Sequence, residues 1–308
     1  MAESSALVDG NSIVNSGLGV FMGLLDYFNR LAIIHLPDRD DRLRALIKEL
    51  SACGIDVKDP KVVIPHAPMP ATANGFRSRG VYGSFLSHLE IIETAYKDGL
   101  DTVWTIEDDA IFSKRFRLQQ EQIARYLREN EWDLCFIGHS GGVGHSGGKE
   151  IPNSPTGLLR YSGPFIWAHN YAVHRRIMPR LIEFVRSSSE REEGHPEGGK
   201  IYIDAAYFFF RQFNPEVVSI VSSPCLSVQK GSQSSLNARK IYDRVFGIRS
   251  LATLAREIRD ECWRQGWLRI YGPQDVLSDS FKVTSPPAQV WPTDVKVGAG
   301  NSGISSIS

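Results

Sequence analysis

The stretch "GVYGSFLSHLEIIETAYKDGLDTVWTIEDDAIF", Gly80 to Phe112, decides the fold. Its first twenty residues carry Phe85, Leu86, Leu89, Ile92 and Tyr96 at helical spacing, and Gly99 stands as a stop signal. "DTVWTI" then changes to the short apolar run of a strand and ends on three adjacent acids, Glu107, Asp108 and Asp109. A helix feeding a buried strand is half of a βαβ unit.

The same alternation extends both ways. Upstream, "LAIIHL" reads as a strand. "PDRDDRLRALIKELSACG" reads as a helix starting near Pro37 and Asp38, and "KVVIPH" as a second strand. Downstream come a helix in "RLQQEQIARYLREN" and a strand in "WDLCFIG". "NYAVHRRIMPRLIEFVRSS" reads as a strand end or loop passing into a helix, with Pro179 at its first turn or at a kink. "SSSEREEGHPEGGK" reads as a polar, mobile insert, "YIDAAYFFFRQF" as an apolar helix and "EVVSIVSS" as a strand. Strands alternating with helices of this length predict a mainly parallel sheet covered on both faces. Ligands of such sheets bind beyond the C-terminal ends of the strands, where both "EDD" and the loop "HSGGVGHSGG" fall.

The chain of 308 residues has 35 basic and 35 acidic side chains, so nothing global favours nucleic acid as a partner. Its cysteines, Cys53, Cys135, Cys225 and Cys262, form no CxxC pair, which fits a reducing, cytoplasmic setting and argues against a zinc ribbon or disulfide framework. The organisation expected is a partly disordered leader over 1–30, the main α/β domain over 31–238, a helical extension over 239–282 and a disordered tail over 283–308. The extension, with Trp263 and Trp267, is read as packing its apolar stripe on the domain; peripheral contact with an anionic membrane is the alternative.

Successive strand residues face opposite sides, so Glu107 and Asp109 should share one side and Asp108 take the other. Paired carboxylates at a strand end are hard oxygen ligands suited to Mn²⁺ or Mg²⁺, the cation in turn holding a diphosphate. The plain alternative is that the acids cap the next helix or pair with Lys114 or Arg115.

Five segments in order resemble glycosyltransferase family 25, the lipopolysaccharide and collagen galactosyltransferase type. They are "IIHLPDRDDRL", "GVYGSFLSHLEIIETAYKDGLDTVWTIEDDAIF", "WDLCFIG", "NYAVHRRIMPRLI" and "PCLSVQKGSQSSL". His35 stands where that family usually has Asn, and Ser84 where it has Cys. The resemblance implies a GT-A type α/β fold: a Rossmann-like, mainly parallel sheet with helices on both faces. It implies transfer of a hexose from a nucleotide diphosphate sugar, such as a UDP-sugar, to a hydroxyl of a glycan or hydroxylated protein, with inversion and a divalent cation. Carried over, Asp109 would ligate the metal. Glu107 would join it or hold the ribose, and Asp108 would face the sugar or a structural partner.

Other candidates follow from chemistry and position. Arg39 and Arg42, after the first strand, suit bidentate bonds to phosphate; the alternative is a solvated helical turn paired with Asp38 or Asp41. Asp204 lies among apolar neighbours, where burial would raise its pKa toward that of a general base, or it serves as a helix N-cap. Gln229 would reach the metal or a phosphate. His88, with Ser87, is read as a hydrogen-bonded core residue, which the resemblance brings toward the donor pocket. Gly80 and Gly83 would allow a close backbone approach. His139 and His145 flank an exposed loop, alternatively a lid that excludes water. The rival readings are a non-catalytic carbohydrate- or nucleotide-sugar-binding protein of the same fold and a carboxylate-metal phosphohydrolase.

Overall fold

The computed structural model describes residues 23–139, 151–163, 165, 167–230, 258, 260–261 and 264–265, all within one compact unit, Met1–Gly272. Expectations for residues 1–22, for the Gly-rich loop with His145, for nearly all of 239–282 with Trp263 and Trp267, and for the tail lie outside these residues.

The elements are α1 (Leu24–Tyr27), β1 (Arg30–Ile34), α2 (Asp40–Ala52), β2 (Val62–Val63), α3 (Arg79–Lys97), β3 (Thr102–Glu107), β4 (Ala110–Phe112), α4 (Lys114–Glu129), β5 (Leu134–Gly138), β6 (Leu158–Arg160), β7 (Asn170–His174), α5 (Met178–Glu190), α6 (Ile203–Phe213), β8 (Ser219–Ser222) and β9 (Ser227–Gln229). One sheet runs in the order β2-β1-β3-β7-β5-β8-β6, and β9 bridges β5 to β4. Strands β1, β2, β3, β5, β8 and β9 point one way, and β4, β6 and β7 the other. The α/β sandwich is therefore the expected one, with an antiparallel β7 set into its centre. The segment read as a strand end or loop is that central strand.

Alternation along the strands sorts the core into two layers. Leu31, Ile33, Trp104, Ile106, Cys135 and Ile137 face α1, α2 and α4; Ala32, Val103, Leu134, Phe136, Tyr171 and Val173 face α3, α5 and α6. Helix α3 starts at Ser78, whose hydroxyl accepts from Val81 N. It buries Val81, Phe85, Leu89, Ile91, Ile92 and Ala95. Tyr96, expected inward, is instead 40% exposed, with Arg175 over its ring; the buried stripe drifts to Ala95. Gly83 sits against the 68–70 loop, where a Cβ would come within 2.9 Å of the Pro68 carbonyl oxygen. Pro179 lies in the first turn of α5, where its missing N–H costs no helical bond.

The segment read as leader already belongs to the core at Leu24, Leu25 and Phe28. Phe28 is fully buried beside Trp104 and edge-on to Trp132. Truncating it leaves a cavity under the sheet, so Phe28→Ala should cost about 3–5 kcal/mol in urea unfolding. A loss below about 1 kcal/mol would mean that this segment is not part of the fold.

Candidate active site

The three acids stand where β3 ends. Glu107 is the last residue of the strand, and Asp108 and Asp109 form the turn into β4. Strict alternation therefore stops at Glu107. Asp108 and Asp109 do not face opposite sides: Arg42 Nη1 lies 3.2 Å from Asp108 Oδ1 and 3.1 Å from Asp109 Oδ2. Glu107 turns to the other layer, where its Oε1 lies 3.3 Å from His88 Nε2 and its Oε2 accepts from Gln229 Nε2 at 2.9 Å. The plain alternative holds in kind but not in partner: Ser113 caps α4 and Arg115 bonds Gln119 and the Ser154 carbonyl, while the basic residue that pairs with Asp108 and Asp109 is Arg42.

Each acid has a different environment. Asp108, 5% exposed, is engaged at both oxygens: Oδ2 by His35 Nδ1 at 2.9 Å and Leu36 N at 3.4 Å, Oδ1 by Arg42. Of the two roles expected for it, facing a sugar or a structural partner, the second is the one these contacts describe. Glu107 is pushed up by burial, but the His88 hydrogen bond and charge, with His169 and Gln229, outweigh this and hold it below the usual carboxylate range. Asp109 goes the other way. Burial and the neighbouring Glu107 and Asp108 charges push it up to about 7, against the pull of Arg42. Its Oδ1 is buried with no hydrogen-bond partner among the described residues.

Other candidates fall around this turn. Gln229, on β9 opposite Ala110, meets Glu107 directly. Lys230 N donates to the Asp109 carbonyl. Arg42, Asp109, Lys230, Glu49 and Arg264 line a cavity of about 50 Å³. That is room for a few water-sized groups, so a larger ligand would extend out of it. Arg39 forks onto Asp41 through Nε and Nη2 at 2.9 and 3.0 Å, the pairing expected as its alternative. His88 is fully buried, and Ser87 donates to the Gly83 carbonyl within its own helix. His139 is not an exposed loop residue. It is 3% exposed, bonded to the Ser222 carbonyl, and pushed down to about 4 by burial.

Asp204 sits in the first turn of α6, where Tyr202 occupies the cap position. Its Oδ1 accepts from Ala205 N and its Oδ2 from Trp167 N at 3.2 Å. Burial first, and the Glu107 charge in addition, raise it above the usual carboxylate range. Trp167 escapes a reading of the sequence. It adopts φ +79°, a conformation that costs a non-glycine residue on the order of 1–3 kcal/mol. It lies two residues from His169, whose carbonyl accepts from Glu107 N. No glycine or turn signal marks the position.

Among the described residues no three His, Cys, Asp or Glu side chains form a ready-made metal cage. The expectation that Glu107 and Asp109 share one side does not hold: Asp109 lines the Arg42 cavity and Glu107 faces the other layer, although its charge is felt at Asp109. Asp109 would therefore be the first carboxylate offered to a cation completed by substrate phosphates. The orphaned Asp109 Oδ1 fits that role.

No family model matches the chain, and no curated protein matches it. Similar solved structures include a glycosyltransferase involved in glycosylation of the major capsid of PBCV-1, at 14% identity and a TM-score of 0.42, covering 75% of this chain and 98% of that one. A putative glucose-1-phosphate thymidylyltransferase from Bacillus anthracis, in complex with a sucrose, is 11% identical with a TM-score of 0.35, over 74% and 95%. A197 from STIV is 12% identical with a TM-score of 0.34, over 69% and 99%. Likenesses this distant carry no chemistry across, and the site has to be argued from its own residues.

The Asp109 environment has a consequence for stability. A carboxyl raised from 3.8 to about 7 contributes stability that is fully present below pH 4 and lost as pH rises through 7. Asp109→Asn cannot ionise. At pH 8, without added metal, it should be more stable than the native protein by on the order of 3 kcal/mol, and the two should converge near pH 4. Melting curves across that range decide it; an Asn variant less stable at pH 8 would contradict the shift.

Proposed function

We propose that this protein is a metal-dependent glycosyltransferase that moves a hexose from a nucleotide diphosphate sugar to a hydroxyl of a glycan or hydroxylated protein. The observation that carries the reading is Asp109: a carboxyl just past a strand's C-terminal end, raised to about 7, with a buried oxygen that no group among the described residues satisfies. Such a group is costly to the fold and is relieved by a cation. Five ordered segments resembling glycosyltransferase family 25, and the α/β layout that resemblance implies, support the same reading.

Asp109 and Glu107 would hold Mn²⁺ or Mg²⁺, which when bound neutralises the diphosphate as the glycosidic bond breaks. Asp108 keeps the turn in place. Arg42, now shared by two carboxylates and lining the cavity with Asp109 and Lys230, would fork onto the phosphates, with Lys230 and, on leaving Asp41, Arg39 adding positive charge. Gln229 orients Glu107 and stands within reach of the donor. Asp204, whose raised pKa suits proton abstraction, takes the proton from the acceptor hydroxyl. The acceptor oxygen forms its bond to the anomeric carbon as the bond to the diphosphate breaks, inverting that centre. The donor is a UDP-sugar in this scheme.

Melting in the presence of UDP-sugars, with and without Mn²⁺, tests the donor site. At 100 times its dissociation constant a donor should add about 2.7 kcal/mol to the native protein, only with metal, and nothing to Asp109→Ala. The absence of any metal-dependent shift with nucleoside diphosphate sugars would overturn the reading. Asp204→Asn should keep the donor-induced shift and lose about 10²–10⁴-fold in turnover, as expected when a general base is removed. Full turnover in that variant would move the base elsewhere.

A further inference from the structure

Three side chains with polar ends are sunk into the apolar layer beneath α3 and α6, where packing alone would not call for their polar atoms. His88 and Tyr171 are fully buried and Tyr207 is 1% exposed, among Phe85, Val103, Phe136 and Phe210. Each brings a polar group that is costly if left unpaired, whereas apolar side chains of the same shape would be nearly neutral or stabilising there. They are arranged as one line. Tyr207 Oη lies 2.9 Å from Tyr171 Oη, Tyr171 Oη 2.9 Å from His88 Nδ1, and His88 Nε2 3.3 Å from Glu107 Oε1. The line crosses three elements, from α6 through β7 to α3, and ends at the acid turn. It is also locked sideways. The His88 ring stacks on Tyr171 at 5.6 Å, and Tyr171 sits directly across from Thr105, two residues before Glu107 on the same face of β3.

The far oxygen of Glu107 is held from the opposite side by Gln229. A carboxylate has about four acceptor positions, so one bond to each oxygen fixes its plane and leaves further lone pairs for a ligand. A carboxylate only accepts, and so His88 Nε2 has to carry a proton.

We propose that Tyr207, Tyr171 and His88 form a buried brace that fixes the orientation of Glu107, making His88 and Tyr171 positioning residues for the donor-metal site. The proposal rests on the reading of that site given above. Without the brace Glu107 would swing about its side-chain torsions, and its free lone pairs would not be presented in one geometry. Outer hydrogen-bonding partners of this kind typically govern 10–100-fold in metal affinity.

Tyr171→Phe keeps the ring and deletes the hydroxyl, and Tyr207→Phe removes only the outer link. In the full-length protein labelled with ¹⁵N-histidine, the native chain should show a His88 Nε2–H signal slow to exchange with water. In Tyr171→Phe that signal should broaden or move. The dissociation constant for Mn²⁺ measured with UDP should rise roughly 10-fold in Tyr171→Phe and less in Tyr207→Phe. His88→Gln, whose amide can donate to Glu107, should retain more affinity than His88→Ala. Native Mn²⁺ affinity in folded Tyr171→Phe, with the His88 signal unmoved, would overturn the proposal, as would the lack of an Nε2–H signal in the native protein. If the native chain binds neither Mn²⁺ nor UDP but the signal is present and responds to Tyr171→Phe, the brace on Glu107 stands and the donor reading alone falls.

Discussion

The Asp108 carboxylate is the interaction on which the architecture around the strand ends depends. At 5% exposure it needs matched partners, and it takes them from the end of β1 through His35 and Leu36 and from the first turn of α2 through Arg42. Its own amide donates to the Ile34 carbonyl. One residue thus ties the β1–α2 connection to the β3–β4 turn. Removing a partner from a buried pair of this kind costs on the order of 3–5 kcal/mol, comparable to the loss of a large core side chain.

With Asp108 committed to the fold, its two neighbours sit in opposite electrostatic environments. Glu107 is held in its charged form by donors on both oxygens. Asp109 is forced toward neutrality by burial and by two adjacent charges. Three consecutive carboxylates therefore divide into a clamp, an oriented acceptor and a frustrated acid. Strand geometry alone would not produce that division; it arises because the strand stops after Glu107 and the turn swings Asp108 and Asp109 together onto Arg42.

Much of this could be read from the sequence, and the remainder for physical reasons could not. Helices α2, α3 and α4 and strands β3 and β5 show strong periodicity, and the acids, Arg42 and Gln229, singled out by residue type and position, do meet around one turn. The three-residue strands β4, β6 and β9 carry too little pattern to register. β7 was obscured because "NYAVH" runs straight into the basic turn before α5. No helix among the described residues is long and apolar enough to cross a membrane, in line with the weak apolar runs of the sequence. His35 bonding Asp108, and His88 joining Tyr171 and Tyr207, link residues from 36 to 83 positions apart. Only the folded sheet brings such pairs together. Trp167, with its positive φ, is a tryptophan where sequence signals would call for glycine, and its amide donates to Asp204, 37 residues away.

Strand β9 is short, but its two pairings change how the acid turn can behave. From β3 the chain passes through Asp108 and Asp109 into β4; β4 pairs with β9, β9 with β5, β5 with β7, and β7 with β3 again. The turn is one link of a closed circuit of hydrogen bonds. A hairpin on an open sheet edge could splay apart and let its like charges drift away from one another. Here any such drift would have to break a ladder, so the electrostatic tension is trapped in place. Arg42 offsets part of it, and what remains is carried by Asp109 as a raised affinity for a proton rather than relaxed by movement of the backbone.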